Sequence, residues 1–258
     1  MITKFSILFL SFSFASILYI PADYSTIQAG IDATIEGDTV LVSTGTYSPY
    51  TNGENFPIMM KSNVNLIGQG EGETIIDANS TNRAIEIIGC QNDVISDMTI
   101  MGGFAEGDHI DGWGGGIFCY SSGLIISSVT LSGNTAESGG GIAIRNSSAT
   151  LLDMKISENE AYWDGGGICC LYSSPTLENV SISDNTAIYG GGIDIDNSSL
   201  ALMHVTIINN SAIWGGGVLL WSANPTFQNV IVSGNTAESK GGGISVQSNS
   251  ELTAGKLL

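Results

Sequence analysis

The sequence predicts an all-β protein: a right-handed, single-stranded parallel β-helix of about 25 residues per coil, with a short N-terminal capping helix. Two markers repeat in step along the chain. A triple glycine followed by Ile or Val occurs six times, and its last glycines are 25, 26, 25, 25 and 26 residues apart. An asparagine recurs with the same period, at Asn134, Asn159, Asn185, Asn210 and Asn235. Two markers that hold one period indicate stacked structural units.

The apolar residues inside each repeat indicate strands rather than helices. After one glycine triplet, Ile193 and Ile195 stand two positions apart, Leu200 and Leu202 repeat the pattern, and a third run begins at Val205. Each run alternates with a period of two and is too short for a helix. Three such strands per repeat, each paired with its counterpart in the next repeat, give a coil that rises about 4.8 Å per turn. Parallel crossovers of this kind are right-handed.

Like residues are expected to stack in columns from coil to coil. One inward column is Ile117, Ile142, Ile168, Ile193, Val218 and Ile244, and the next is Cys119, Ile144, Cys170, Ile195, Leu220 and Val246. The asparagines form the polar counterpart, because an amide carries both a donor and an acceptor. Glycine suits a turn that needs a positive φ or a close approach of backbones. The glycines and asparagines are therefore predicted to build the scaffold.

Composition narrows the classes of partner. The 258 residues carry a formal net charge of -18, with 25 acidic against 7 basic side chains. No basic patch is available for a nucleic acid, so we expect no nucleic-acid partner and no membrane insertion of the mature domain, which is expected to be a monomer. Cys119 and Cys170 share a column two coils apart, about 9–10 Å, which exceeds disulfide reach. Cys169 is predicted to point outward.

Residues 1–15 are predicted to be a signal peptide, and residues 16–258 the β-helix domain. Lys4 supplies the positive charge, Phe5 to Phe14 is a short apolar run, and Ala15 ends a small-x-small pattern. A membrane anchor is the alternative, but the run is short for a span. The pattern therefore predicts a secreted or cell-surface protein. The chain stops inside a coil without a cap, which favours a truncated C-terminal end.

The N-terminal part of the domain is predicted to close the stack. Ile17 to Ile20 and Thr39 to Val42 alternate as strands. Between them, Ser25-x-x-Gln28 has the form of a capping box, and Ile27, Ile31 and Ile35 then share one helical face. A helix here would cover the strand edges at the open end. Farther along, residues 102–113 are an insertion that lengthens one turn, and such loops often carry function on solenoids.

Two sets of motifs resemble known β-helix families. The Gly-Gly-Gly-Ile triplets and segments such as Ile182-x-x-Asn185 resemble the Gly-Gly-Ala-Ile and Phe-x-x-Asn repeats of polymorphic outer-membrane proteins. The front of the domain, from Tyr24 through Gly45-Thr46-Tyr47, is similar to the opening of pectin-lyase-like proteins. The resemblance implies the fold, and the superfamily contains lyases, hydrolases, esterases and adhesins. The Trp-x-Asp-His, His-Gly and Arg-x-Lys motifs of its enzymes are absent, so the resemblance implies no catalytic residue.

Three groups of residues are candidate sites. Aromatic residues cluster around the glycine turns and are predicted to lie along one edge, where they either stack on sugar rings or pack over the turn: Trp113, Trp163, Tyr189 and Trp214. Asp194 and Asp196 point outward from one strand, as a weak candidate for Ca²⁺ or, more simply, as a solvated face. Asp108, His109 and Asp111 in the insertion are weak catalytic candidates, with a turn held by Asp side chains as the simpler interpretation.

From these patterns we expect an exported β-helix module for cell-surface adhesion or glycan binding, with a polysaccharide or surface glycan as partner. No cofactor is expected beyond a possible Ca²⁺ ion. The alternatives are a polysaccharide lyase or glycoside hydrolase with its site near the 102–113 insertion, and a structural spacer.

Overall fold

The computed structural model describes residues 15–258, which wind into a right-handed parallel β-helix of about ten coils. The strands pair in parallel, each with its counterpart one coil later, as in the register Ile168↔Ile193↔Val218. The predicted fold class is thereby confirmed. The predicted signal peptide lies, apart from Ala15, outside the described residues.

Three sheets run along the axis of the helix. The first has sixteen strands: Ile17–Ile20, Thr39–Val42, Gly45–Tyr47, Asn65–Ile67, Thr74–Asp77, Gln91–Met101, Gly123–Ser132, Ser148–Leu152, Lys155–Ser157, Thr176–Glu178, Ser181–Ser183, Ala201–Met203, Thr206–Ile208, Thr226–Gln228, Ile231–Ser233 and Thr253–Ala254. The second has eight: Ile58–Met59, Ile85–Ile88, Ile117–Tyr120, Ile142–Arg145, Ile168–Leu171, Ile193–Asp196, Val218–Trp221 and Ile244–Gln247. The third has six: Phe104–Ala105, Thr135–Ser138, Glu160–Asp164, Thr186–Tyr189, Ser211–Trp214 and Thr236–Lys240.

A regular coil has four strands rather than the predicted three, because it contributes two strands to the first sheet and one to each of the others. The strands of the third sheet were not predicted. The inward positions of this sheet are small residues, such as the buried Ala136, Ala161 and Ala212. Alanine contributes little to an apolar alternation, and therefore the strand that precedes each glycine triplet carries a weak sequence signal. This sheet positions most of the candidate aromatic residues.

The core consists of the predicted apolar columns. Ile142, Ile168 and Ile193 are fully buried on top of one another, as are Ile144 and its neighbours in the second column. Val246 departs from the prediction, because it is 49% exposed. Its strand is the outermost of the second sheet and so packs against a coil on one side only.

The five recurring asparagines form a hydrogen-bonded ladder along one turn of the coils. Asn185 illustrates the pattern: its Oδ1 accepts from the backbone N and the Nδ2 of Asn159, each at 3.0 Å. Its own Nδ2 donates to the carbonyl oxygen of Ile156 at 2.9 Å and to Oδ1 of Asn210 at 2.9 Å. Asn185 is fully buried. Each amide thus satisfies polar groups of two coils in a place that water does not reach.

A second polar ladder lies at the turn between the second and first sheets. It consists of serines in successive coils, and each hydroxyl oxygen accepts from the backbone N of the preceding coil at 3.0–3.1 Å: Ser122, Ser147, Ser173 and Ser198. This ladder was not predicted from the sequence. Serine is common in loops, so four serines at the repeat period attract less notice than a triple glycine.

The glycine triplets make the corner between the third and second sheets. Gly190, the first of its triplet, has a φ of 61°, which glycine adopts without strain. At Gly192, the third, a Cβ atom would lie 2.6 Å from the carbonyl oxygen of Gly217 in the next coil. Only a residue without a side chain allows the coils to approach this closely.

A short helix, Ile27–Ala33, packs against the first strands at the N-terminal end. Its N-cap is Thr26, whose Oγ1 accepts from Ala29 N at 3.2 Å, rather than the predicted Ser25. The carboxylate of Glu54 accepts from the backbone N of Ile27 at 2.7 Å and so takes over one of the free first-turn donors. Ile35 lies beyond the helix and is 46% exposed, so its predicted place on the helical face was wrong. No helix within residues 15–258 has the length and apolar character that a membrane crossing requires.

Candidate functional site

The corner at the glycine triplets creates a groove along the outside of the β-helix. One wall is the column of residues that directly precede the triplets: Trp113, Ser138, Asp164, Tyr189, Trp214 and Lys240. The floor is formed by outward residues of the second sheet, in two columns that include Cys169, Asp194 and Leu219, and then Leu171, Asp196 and Trp221. Side chains that point outward from the third sheet and from the second sheet therefore lie side by side in this groove.

This corner contains a cavity of about 450 Å³. We call it the aromatic–carboxylate groove and define it by its lining: Trp113, Asp164, Cys169, Leu171, Tyr189, Asp194, Asp196, Trp214, Leu219 and Trp221. It combines three of the four predicted aromatic residues with both aspartates that were predicted separately. Asp164 and Trp221 were not among the predicted site residues, although Asp164 occupies the position before a glycine triplet, where Trp113 and Trp214 also lie.

The rings in the groove offer both faces and edges. Tyr189 and Trp214 meet edge to face, with ring centroids 6.2 Å apart and planes at 77°. Trp221 stands across from them on the floor and is 44% exposed. The rings are only partly covered by the protein, and a partly covered ring leaves an apolar surface on which a ligand can pack.

Trp163 does not share the groove, contrary to the expectation that all four aromatics line one edge. It stands two positions before its glycine triplet, and the pairing register is shifted between Glu160 and Asp164. Asp164 therefore takes the wall position that pairs with Tyr189. Trp163 instead lies edge to face on Tyr162, with centroids 4.7 Å apart, and lines a neighbouring depression.

Asp194 does not lie on a solvated face, which corrects the simpler interpretation of that residue, whereas Asp196 is partly exposed. Asp194 is 5% exposed, and burial raises its pKa well above the usual value, with the charges of Asp164 and Asp196 adding to the effect. Burial also raises the pKa of Asp164, which accepts a hydrogen bond from Ser138 Oγ at 3.1 Å. The pKa of Asp196 is raised by burial too, although Asn197 Nδ2 donates to its Oδ1 at 2.7 Å.

Cys169 points away from the core, as its position in the strand requires, yet it is only 3% exposed. The groove walls cover it, so outward does not mean accessible here. Burial, and next the charge of Asp194, raise the pKa of its thiol well above the usual value. A thiol in this state is not a nucleophile at neutral pH.

The carboxylates do not assemble a metal centre. Within residues 15–258, no group of three or more His, Cys, Asp or Glu side chains has the arrangement to hold a metal ion. Asp194 and Asp196 are thus without the further oxygen ligands that Ca²⁺ prefers.

The insertion divides the weak catalytic candidates between two depressions. Asp108 and His109 line one depression, together with Trp163, Glu106 and Glu137. Asp111 faces another, beside the almost fully buried Arg83. The side chains of the three catalytic candidates, Asp108, His109 and Asp111, are all exposed. In the described part of the chain no side-chain hydrogen bond joins His109 to either aspartate. The geometry therefore does not orient the imidazole as a base.

Arg83 instead fastens the insertion to the coils. Its Nη2 donates to the carbonyl oxygens of Ile110 at 2.8 Å and Asp111 at 2.6 Å, and its Nη1 lies 3.2 Å from Glu86. The guanidinium also covers the ring of Phe118 at 4.8 Å from its centroid. These contacts give the insertion a structural role.

Solved structures with a similar fold include a pectin methylesterase and a pectate lyase. A pectin methylesterase in complex with a hexasaccharide superposes with a TM-score of 0.54 at 13% identity, over 92% of this chain and 81% of the enzyme. The pectate lyase Pel9A gives 0.52 at 12% identity, over 95% of this chain and 79% of the enzyme. PfbA, a surface adhesin of Streptococcus pneumoniae, gives 0.49 at 16% identity, over 80% and 59%. At these identities the likeness shows the fold alone.

Sequence comparisons identify the family. A search of curated proteins finds no match for the chain. The family model described as a right handed beta helix region matches residues 115–255, and the model of a protein of unknown function (DUF1565) matches residues 21–177. Each match spans more than half of the chain. The chain therefore belongs to the right-handed β-helix family, and its N-terminal and central coils to DUF1565.

Proposed function

We propose that this protein is an exported glycan-binding module and that the aromatic–carboxylate groove is its binding site. The observation that carries the proposal is the composition of this one cavity: rings of Trp113, Tyr189, Trp214 and Trp221 around the buried carboxyl of Asp194. Sugar rings pack their apolar faces on aromatic rings and place hydroxyl groups on carboxylates. Pockets of this kind, apolar with a few convergent polar groups, are the usual form of a binding site.

The geometry of the solenoid supports a linear ligand. The groove runs across consecutive coils, and the wall residues Asp164, Tyr189 and Trp214 are one coil apart. Coils repeat at about 4.8 Å, which is close to the length of one hexose unit in an extended polysaccharide. A glycan chain aligned with the axis would therefore meet an equivalent position at each sugar.

A pair of tryptophan variants tests the proposal. Trp214→Ala removes a ring from the groove, whereas Trp163→Ala removes an equally large, 46% exposed ring beside it. On a glycan array followed by titration calorimetry with the best oligosaccharide, we expect Trp214→Ala to weaken binding about tenfold or more, by the loss of one stacked ring. Trp163→Ala should change affinity less than about twofold.

Two results would count against glycan binding. Equal losses in the two variants would mean that the groove is not the site. The absence of binding to every glycan by the unaltered protein would leave the structural spacer as the better interpretation.

A polysaccharide-cleaving enzyme is the second candidate, and one specific observation favours it. Asp164 and Asp194 are carboxyl groups whose pKa is raised by burial, beside the less buried Asp196. A carboxyl held protonated can donate to a leaving oxygen while a second one acts as base or nucleophile. Release of reducing ends or unsaturated products from a polysaccharide, abolished in Asp196→Asn, would favour the enzyme. Cleavage that survives Asp196→Asn but is lost in His109→Ala would place the site at the insertion instead.

A further inference from the structure

Asp194 is a nearly buried carboxyl group that lines the aromatic–carboxylate groove. The residue is 5% exposed, and its side chain makes no hydrogen bond with any residue of the described range 15–258. Its strand neighbours at the same position are Cys169 and Leu219, and neither neutralises a charge. Burial of an unpaired carboxylate is unfavourable unless a cation or hydrogen-bond donors accompany it. The open groove is the direction from which such a partner can arrive, since Asp194 lines it.

Within residues 15–258, no ion pair involves the three carboxyls of the groove. The ion pairs among the described residues are Arg83 with Glu86 and Lys155 with Glu71, both away from the groove. Two cationic side chains rest on aromatic rings of the groove instead. Arg145 covers Trp113 at 5.1 Å, and Lys240 covers Trp214 at 4.6 Å from the ring centroid.

Two aromatic rings of the groove, Trp113 and Trp214, thus already bind a cationic side chain each. The face of an aromatic ring attracts a cation, most strongly where water is excluded. Tyr189 and Trp214 are nearly perpendicular and both line the groove, so the pair presents differently oriented aromatic surfaces to a ligand there. Aromatic rings combined with carboxylates are the surroundings in which proteins hold organic ammonium groups.

We infer that the groove binds a glycan with free amino groups, a polymer of hexosamine units, and that one ammonium group pairs with Asp194 beside the aromatic rings. This inference rests on the proposed function and names the ligand class for the same site. A polymer of uronic acids fits poorly, because its carboxylates would bring more negative charge to a site that already holds Asp164, Asp194 and Asp196, while the cationic side chains at the edge are engaged with rings. The net charge of -18 adds to this discrimination.

Three oligosaccharides of equal length separate charge from shape. They are a hexamer of glucosamine, its fully N-acetylated counterpart and a hexamer of galacturonic acid, each titrated into the intact protein at neutral pH. We expect the glucosamine hexamer to bind about tenfold or more tightly than the acetylated one, and the uronate to bind most weakly. In Asp194→Asn the preference for the free amine should disappear. Asp184→Asn is the matched control, because Asp184 is an exposed carboxylate outside the groove and should leave the preference intact.

Tetramethylammonium provides a second readout that does not depend on sugar recognition. It has no proton to lose, so a proton released on binding comes from the protein. The titratable groups that line the groove are Asp164, Cys169, Tyr189, Asp194 and Asp196, with Arg145 and Lys240 over its rings, and the raised pKa of Asp194 makes it the principal source. Calorimetry in two buffers of different ionisation enthalpy should show the same proton release with the unaltered protein and with Asp184→Asn, and less than half of it with Asp194→Asn.

The outcomes distinguish this inference from the proposed function. If the acetylated hexamer binds as tightly as the amine, or the uronate binds best, glycan binding stands and the cationic ligand is excluded. If tetramethylammonium binds with proton release but none of the oligosaccharides does, the cation site stands and glycan binding fails. If neither tetramethylammonium nor the glucosamine hexamer binds, the inference is overturned.

Discussion

Replacement of Asn185 by alanine tests whether the asparagine ladder holds the coils together. The side chain makes four buried hydrogen bonds: it accepts from Asn159 N and Asn159 Nδ2, and donates to Ile156 O and Asn210 Oδ1, at 2.9–3.0 Å. A buried hydrogen bond contributes about 1 kcal/mol net, and its loss leaves donors that water does not reach. We therefore expect Asn185→Ala to lower the free energy of unfolding by about 4 kcal/mol.

The assay is equilibrium unfolding in guanidinium chloride, with amide hydrogen exchange to show which coils open. Asn235→Ala is the matched control, because Asn235 ends the ladder, is only partly buried and makes three such bonds, to Asn210 N, Asn210 Nδ2 and Ile207 O. Its loss should be smaller, about 1–2 kcal/mol. A loss below about 1 kcal/mol at Asn185, or equal losses at both positions, would show that the ladder follows from coil stacking and does not stabilise it.

Three further predictions follow from local geometry. Gly192→Ala should lower the free energy of unfolding by more than about 2 kcal/mol, because the added Cβ would lie 2.6 Å from the backbone of the next coil. Gly243→Ala is the control: it has the same position in its triplet but its nearest atom is at 3.4 Å, so the loss should be less than about 1 kcal/mol. Thermal unfolding compares the two variants, and equal losses would refute the role of the close approach. Burial raises the pKa of Asp93 to about 6, so its contribution to stability is full below the unfolded value near 3.9 and is lost as pH rises to about 6. Asp93→Asn should therefore raise the free energy of unfolding at pH 7 by up to about 3 kcal/mol and make that free energy less dependent on pH between about 4 and 6. Asp153→Asn, at an exposed turn, is the control and should leave the pH dependence unchanged. The same pH dependence in Asp93→Asn as in the unaltered protein would contradict the raised pKa of Asp93. Cys169 should resist iodoacetamide in the native protein and react after unfolding, as measured by mass spectrometry, and rapid native labelling would show that the groove opens.

The repeat was predictable because glycine triplets and regularly spaced asparagines have few other roles in a protein sequence. A triple glycine at a fixed period has little reason to occur except at a turn that no side chain can occupy, and Gly190 and Gly192 meet that description. The same holds for the buried apolar columns, where alternation assigns each residue to the inside or outside of a strand. Errors arose where the residue type was less specific, as at the alanines of the third sheet and at Thr26, which caps the helix in place of Ser25.

The candidate site was predictable only in part. Tyr189 and Trp214 were singled out with Trp113, and Asp194 with Asp196, but as two unrelated features. The alternation of the strand indicated correctly that Asp194 points away from the core, and the inference that its side chain is therefore solvated was wrong. It is 5% exposed because the wall of the third sheet stands beside it.

Periodicity in the sequence by itself determined the β-helix, its coil length, its apolar columns and its asparagine turns, because each coil repeats the same contacts with the coils on either side. The tertiary structure alone decided that the rings and the carboxyls share one groove, that Asp164 belongs to it and that Trp163 does not. The physical reason is that the angle between two sheets and the offset of one residue in a strand determine what covers an outward side chain, and neither quantity is expressed in the pattern of a single strand.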